Sequence, residues 1–295
     1  LVMLMDPDEV DKAVRWRLTP VVYSLSFART LVTALQAMGA SLEVHLEIET
    51  GMGRVGVTPE EALETARLLR DSGVVRLRGL MTHLASADDP AADADSLAQL
   101  RSFDAVVAAL RTELKEPLLI HAAATSGAAR FPASRYGMVR LGLGLYGLHP
   151  SPAVAEAIEL ELAVAFISRL VQVSLFRRGQ RIGYNGSYRV EAEMQHIGIV
   201  AAGYNDGVPW RFSQGGEVMM QGKRLRVLGR VSMDSMAIDL DPLPEACVGD
   251  EVLIFGAHEG QVLRPEQAAE RAGTIPYDLL VHVDGRRVQR IFRGG

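Results

Sequence analysis

Two carboxylates and an arginine converge in HLEIETGMGRVGV, residues 45–57. His45, Glu47 and Glu49 share one parity of an alternating strand, Val44, Leu46 and Ile48 the other, and a turn with Gly51 and Gly53 then delivers Arg54. Such a cluster suits acid–base work or the holding of an anionic partner. A second cation lies in MVRLGLGLYG, residues 138–147, read as a strand in which Met138, Arg140, Gly142 and Gly144 share one face. An arginine followed by glycines leaves a hollow with a permanent positive charge in it; the alternative is a surface arginine with glycines that serve packing. HAAATSGAAR ends a strand and opens a helix on Thr125, Ser126 and Gly127, which suits an anion such as phosphate and equally suits plain capping. His83, in MTHLASADD, either belongs to a site or is a satisfied core histidine.

Further along, Tyr184 and Tyr188 flank Asn-Gly in IGYNGSY, and Tyr204 lies in the glycine-framed AAGYNDGVPWRF. Loop tyrosines commonly just pack, and one acts as an acid or base only where a nearby cation lowers its pKa from about 10. GRVSMDSM joins Arg230, Ser232, Met233 and Asp234 in what reads as a half-buried strand with Met233 in the core.

The elements that must position these residues change character along the chain. Up to about residue 155, short apolar strands (1–5, 20–24, 43–49, 78–84, 117–124 and 138–147) alternate with amphipathic helices, as parallel strands with helical crossovers do. Thr58 with Pro59 and Glu61 is a capping box, and Gly73 a helix stop. An open doubly wound sheet and a (β/α)8 barrel both fit. The barrel is favoured because polar residues recur at several strand ends (Glu47 and Glu49, Thr82 and His83, Thr125 and Ser126, Arg140), where barrel sites gather. Six strands are legible where a closed barrel of this type has eight, so a TIM-type barrel without its first two or so strands is expected over 1–155. Residues 156–295 read as a mostly antiparallel β domain, with hairpin turns at Gly222–Lys223 and Glu259–Gly260 and one late helix in RPEQAAERAG.

Composition narrows the function. With 295 residues, 48% hydrophobic, the chain can bury real cores. No apolar run reaches membrane-spanning length and no signal-peptide pattern is present, which points to a soluble, cytoplasmic protein. A net charge of −5 with 31 basic residues scattered among 36 acidic ones, and few aromatics, argues against a nucleic-acid partner and for a small molecule. Cys247 is the only cysteine, so neither an internal disulfide nor a metal centre is expected. The chain begins at Leu1 with a buried-strand pattern, so its natural start is expected upstream.

Nine stretches in order, LTPVVYS, IETGMGRVG, THLASAD, HAAATSGAARFP, VRLGLGLYG, GYNGSY, GYNDG, GRVSMD and TIPYDLL, closely resemble the alanine racemases, enzymes of pyridoxal 5'-phosphate (PLP) with a barrel and a β domain. The resemblance implies that Arg140 faces the pyridine nitrogen of PLP with His83 behind it. An arginine keeps its proton, so that nitrogen stays unprotonated and the ring is a poorer electron sink, which guards against reprotonation at the wrong carbon. It further implies that Thr125, Ser126, the backbone at Gly142 and Leu143, and Tyr277 hold the phosphate. Arg54 would reach the ring hydroxyl and the substrate carboxylate, oriented from behind by Glu47, with the Met233 backbone also at that carboxylate and Tyr204 at the entrance. Two bases act on Cα, the PLP lysine and a tyrosine of the partner subunit, here Tyr184, so the unit is a homodimer with shared sites.

The same resemblance places the Schiff-base lysine upstream of Leu1. The sequence has Lys12, Lys115 and Lys223, none at a barrel strand end, so the chain as given is expected to be inactive alone and, with two open sheet edges, poorly soluble. Glu47 stands where many members carry a carbamylated lysine, Thr125 where asparagine is common, Ser232 where cysteine is common, and Trp210 where an arginine often guards the entrance. The expected role is D-alanine supply for the bacterial cell wall. The rivals are a broad-specificity or serine-preferring racemase, a PLP decarboxylase of similar layout, disfavoured because it would set an acid at the ring nitrogen, and a catalytically dead relative that serves as a binding protein.

Overall fold

Short apolar runs alternating with amphipathic segments build a parallel β/α arrangement in the first half of the chain. Strands β1 (Val21–Val22), β2 (Leu42–Glu47), β3 (Val75–Met81) and β4 (Leu119–His121) lie side by side in chain order, all parallel. Helix α1 (Val10–Arg15) precedes them, and α2 (Leu25–Met38), α3 (Ala62–Asp71) and α4 (Asp93–Leu114) are the crossovers that parallel pairing requires. The computed structural model describes residues 1–4, 6–114, 117–283 and 285–292. It divides into two compact units, Leu1–Gly142 with Pro150–Glu159, and Leu143–His149 with Leu160–Gly295.

Local chemistry sets the crossovers. Ser24 caps α2 by accepting from the Phe27 N–H at 3.0 Å, and Gly39, at φ 59°, ends it. The Thr58–Glu61 capping box forms as the sequence predicts: Glu61 N–H donates to Thr58 Oγ1 at 3.3 Å, and Thr58 N–H to Glu61 Oε2 at 3.2 Å. The helices bury Leu31, Leu35, Leu69, Phe103 and Leu110 against Val44, Leu46, Ile48 and Leu80 of the sheet. Because β2 is covered on both faces from Val44 onward, His45 and Glu47 are as buried as Val44 and Leu46, while Glu43 of their parity is exposed.

Four sequence expectations need correction. Residues 138–147 form no strand: Gly137 N–H and Arg140 N–H donate to Ile120 and Ala123 carbonyls at 3.1 and 2.9 Å, and the chain then coils into a 3-10 turn, Leu143–Tyr146. Glycines at 142, 144 and 147 cost the extended form side chains to pack, so no ladder propagates. Residues 1–5 yield only an isolated parallel bridge, Val2 to Pro20, and Met5 lies outside the described residues. GRVSMDSM is a loop up to Met236, because Ser232 and Met233 carbonyls accept from Tyr204 and Asn205 N–H instead of a neighbouring strand. TIPYDLL adds a second late helix, α8 (Pro276–His282), after α7 (Pro265–Ala272), its proline at the first turn where no donor is lost. Two shorter helices, α5 (Thr125–Arg130) and α6 (Pro152–Ala157), belong to the first unit.

The second unit is antiparallel. Strands β5 (Ala165–Arg177), β8 (Met194–Val200), β9 (Glu217–Met220), β10 (Lys223–Leu228), β11 (Met236–Asp239), β12 (Glu251–His258) and β13 (Gln261–Leu263) form one sheet in the order 13-12-5-8-11-10-9. Strand β9 also pairs with β12, so six of the seven close into a ring around Phe212, Ile238, Leu240, Val252 and Phe255. The hairpin turns fall at Gln221–Gly222, one residue before the expected pair, and at Glu259–Gly260, all four residues with positive φ. A small ribbon, β6 (Arg181–Ile182) with β7 (Tyr188–Arg189), carries the turn Tyr184–Gly186.

Candidate active site

The ends of the parallel strands meet around one guanidinium. Arg140 Nη1 lies 2.7 Å from His121 Nδ1, and Nη2 lies 3.0 Å from His83 Nδ1, 2.9 Å from the Thr82 carbonyl and 3.0 Å from that of Ala122. All these partners follow or end β3 and β4. The Nε–H makes no hydrogen bond among the described residues, so a braced cation keeps a donor for an acceptor outside the protein. Burial depresses Arg140 from its ordinary value, Glu47 opposing this, yet an arginine stays charged.

The tautomers around Arg140 follow from its chemistry. Arginine has donors only, so Nδ1 of both His83 and His121 must accept and each ring carries its proton on Nε2. His121 Nε2 then donates to His45 Nδ1, 2.7 Å away. Three neutral histidines thus serve one cation. Burial lowers His83 to about 4 and His121 to about 3, with Arg140 the next cause for both, and lowers His45 to about 4.

A missing side chain permits this contact. His45 on β2 pairs with Gly79 on β3, and its ring passes over that glycine to reach His121 on β4. A Cβ at 79 would stand 2.6 Å from the His45 ring and 2.7 Å from the Leu119 carbonyl. The sequence carried this signal as a glycine inside a strand, in RLRGLM. His121 and Gly79 are site residues that sequence reasoning missed, and His45, noted in the polar parity of the strand, has no role assigned to it there.

The carboxylates divide their work. Glu49 accepts from the N–H groups of Gly51, Gly53 and Arg54 at 2.5, 2.9 and 3.3 Å; burial alone would raise it, but these donors hold it below the usual carboxylate range. The loop that carries Arg54 is therefore wrapped on Glu49. Glu47 is 2% exposed, pushed up by burial, and lies 4.0 Å from the half-exposed Arg54 guanidinium; its Oε2 has no partner among the described residues. Thr125 is buried at the start of α5 and accepts from Gly142 N–H at 3.4 Å. Ala124, not a hydroxyl residue, is the N-cap, so Thr125 and Ser126 do not cap this helix.

In the second unit, Leu143 is buried, whereas Tyr184, Tyr204, Met233 and Tyr277 are exposed, Tyr184 at 66%. Met233 in solvent corrects its expected place in the core. Its loop is joined to that of Tyr204 by Arg287, which donates to Asp206 at 2.8 Å and Asp234 at 2.7 Å. Of the lysines, Lys12 pairs with Glu9 on the exposed side of α1, Lys223 reaches the Pro242 carbonyl from β10, and Lys115 lies outside the described residues.

Comparison with known proteins bears on this geometry. The family described as alanine racemase, N-terminal domain, matches residues 1–150, and alanine racemase, C-terminal domain, matches 163–292. The alanine racemase of Syntrophobacter fumaroxidans is 31% identical over 98% of this chain and 76% of its own length. Alanine racemase 2 of Bacillus subtilis is 33% identical over 96% and 73%. Among solved structures, alanine racemase from D-cycloserine-producing Streptomyces lavendulae superposes with a TM-score of 0.90 at 30% identity, covering 99% of this chain and 77% of that one.

Proposed function

The chain belongs to the alanine racemase family, and from that premise we propose that it interconverts L- and D-alanine with PLP, for D-alanine supply to the cell wall. The observation that carries this reading is Arg140: a cation braced by two neutral histidines and two carbonyls, with its Nε–H unspent. That donor set fits an unprotonated aromatic nitrogen, since it can donate to the ring but cannot hand over a proton. PLP, when bound, supplies the electron sink that makes Cα–H acidic. His83 and His121 keep Arg140 in place and stay neutral, so they add no competing charge.

The remaining assignments extend that reading. Arg54, on the loop wrapped around Glu49, binds the ring oxygen and the substrate carboxylate, and Glu47 lies behind it. The Met233 backbone meets the same carboxylate. Thr125, Ser126, Gly142, Leu143 and the Tyr277 hydroxyl hold the phosphate. Tyr184 moves a proton at its Oη on one face of Cα, across a homodimer with shared sites, and its exposure in the single chain is consistent with use by a partner. Tyr204 stands at the entrance. A base for the other face is not found among the described lysines. No helix of the described residues is long and apolar enough to cross a membrane; the cytoplasm is the location that belongs to this proposed role.

The test is a D-alanine assay on the product of the natural gene, with absorbance of bound PLP recorded on the same sample. Racemisation with a bound chromophore is expected. A natural product that binds PLP but racemises serine or a bulkier amino acid in preference would replace alanine as substrate; exposed Trp210 is the observation that favours this second reading. Neither chromophore nor turnover would leave a binding protein.

A further inference from the structure

Helix α4 buries an apolar row, Leu100, Phe103, Val106, Val107 and Leu110, with one amide among them near its start. Gln99 is only 4% exposed. Its Oε1 accepts from Ala85 N–H at 2.9 Å, and its Nε2 donates to the His83 carbonyl at 3.1 Å and to Thr50 Oγ1 at 3.3 Å. These partners fix the amide's orientation, since an N–H cannot accept and a carbonyl cannot donate. Thr50 Oγ1 in turn pairs with Thr82 Oγ1 at 2.7 Å, and the Thr82 carbonyl is one of the four groups that brace Arg140.

The two sides of this bridge are the two loops that matter. Thr50 begins the turn that leads to Arg54, and His83 to Ala85 is the loop after β3. At Gly51 a Cβ would come within 3.2 Å of Gln99 Cγ, so the helix also packs directly on the first loop. Nothing else in the row of buried α4 side chains offers an amide for this purpose, and an apolar residue there would leave the Ala85 N–H and the His83 carbonyl unpaired and Thr50 Oγ1 with Thr82 alone.

We propose that Gln99 is a positioning residue: its amide ties the Arg54 loop to the His83 loop, so that the substrate-binding arginine and the brace of Arg140 keep one fixed relation. The consequence for catalysis rests on the racemase reading; the tie itself does not. Without it, each loop retains its own anchor, Glu49 for the first and Arg140 for the second, and the Thr50–Thr82 hydroxyl pair is left to link them at that point without the amide that clamps it to Ala85 and His83.

The experiment is residue-resolved amide hydrogen exchange on the natural gene product, wild type against Gln99→Leu and Gln99→Glu, with alanine kinetics on the same preparations. Gln99→Leu should speed exchange at residues 50–54 and 83–85 together by about 10-fold, while the β2 and β3 core amides keep wild-type rates. Gln99→Glu keeps the acceptor for Ala85 N–H and loses both donors, so it should free residues 50–54 and leave Ala85 protected; it decides the matter should the leucine variant fail to fold. In kinetics, KM for alanine should rise by about 10-fold with kcat less affected, since Arg54 binds the carboxylate in ground and transition state alike. Unchanged exchange in both loops, or a response in only one of them in Gln99→Leu, overturns the proposal. A wild type that turns over no amino acid removes the racemase reading, and the exchange result still decides the role of Gln99.

Discussion

Arg140 Nη1 sits 2.7 Å from Nδ1 of His121, whose other ring nitrogen sits 2.7 Å from His45. A residue that only donates thus dictates the protonation of two rings in sequence, and the dictation has a measurable cost at low pH. The folded pKa values, about 4 for His45 and His83 and about 3 for His121, lie below the unfolded 6.5. Unfolded chains therefore bind more protons below pH 6.5, and the histidines' share of stability, complete above that value, is lost as pH falls toward 4 and then 3. Glu47, raised by burial, acts in the opposite sense above the ordinary carboxylate range, but one group opposes three. Urea unfolding at pH 7.5 and pH 5 should give a loss of a few kcal/mol at the lower pH; equal midpoints would refute neutral buried histidines.

Gly79 is the point where three strands and one ring come together. Gly79→Ala forces either the His45 ring or the Leu119 carbonyl to move, because both stand under 3.0 Å from the new methyl. We expect a destabilisation of about 2–4 kcal/mol. In a His45→Ala background the ring contact is gone, so the penalty should shrink; an equal penalty in both backgrounds would place the conflict wholly at the backbone.

Glu49 is expected to act as scaffold and not as base. Glu49→Gln keeps an oxygen for at most two of the three N–H groups and turns the other position into a donor facing a donor, at a cost of about 1–3 kcal/mol. Because the Arg54 loop is what loosens, KM for alanine should rise more than kcat falls. A collapse of kcat with KM unchanged would instead make Glu49 a participant in proton transfer.

Arg287 holds the loops of Tyr204 and Met233 through Asp206 and Asp234. Asp206 is buried, so Arg287→Met leaves a charge without its cation and should cost about 1–3 kcal/mol. Calorimetry on Arg287→Met and on the double variant with Asp206→Asn distinguishes this from simple surface loss: the double variant should recover part of the deficit.

Much of the fold was legible because it depends on short-range pattern. The β/α rhythm, the Thr58–Glu61 cap and the Glu259–Gly260 turn each involve residues within a few positions of one another. MVRLGLGLYG was misread for the same reason: alternation of apolar residues says strand, while the glycines that interrupt it permit a 3-10 turn, and only tertiary partners decide. The cluster around Arg140 was half legible. Arg140 and His83 stood out as polar residues at strand ends, but His121 meets His45 across 76 positions, and no local pattern encodes that pairing. Gln99 escaped notice because a glutamine in a helix is ordinary until burial shows that water does not satisfy it.

The most direct test of the Arg140 reading is the protonation state of the cofactor's ring nitrogen, read from the nitrogen-15 shift of ring-labelled PLP bound to the natural gene product near neutral pH. Wild type should show an unprotonated nitrogen that accepts a hydrogen bond, and Arg140→Glu a protonated one, with more keto acid formed per alanine racemised. A protonated ring nitrogen in the wild type, or a shift indifferent to Arg140→Glu, would contradict the account.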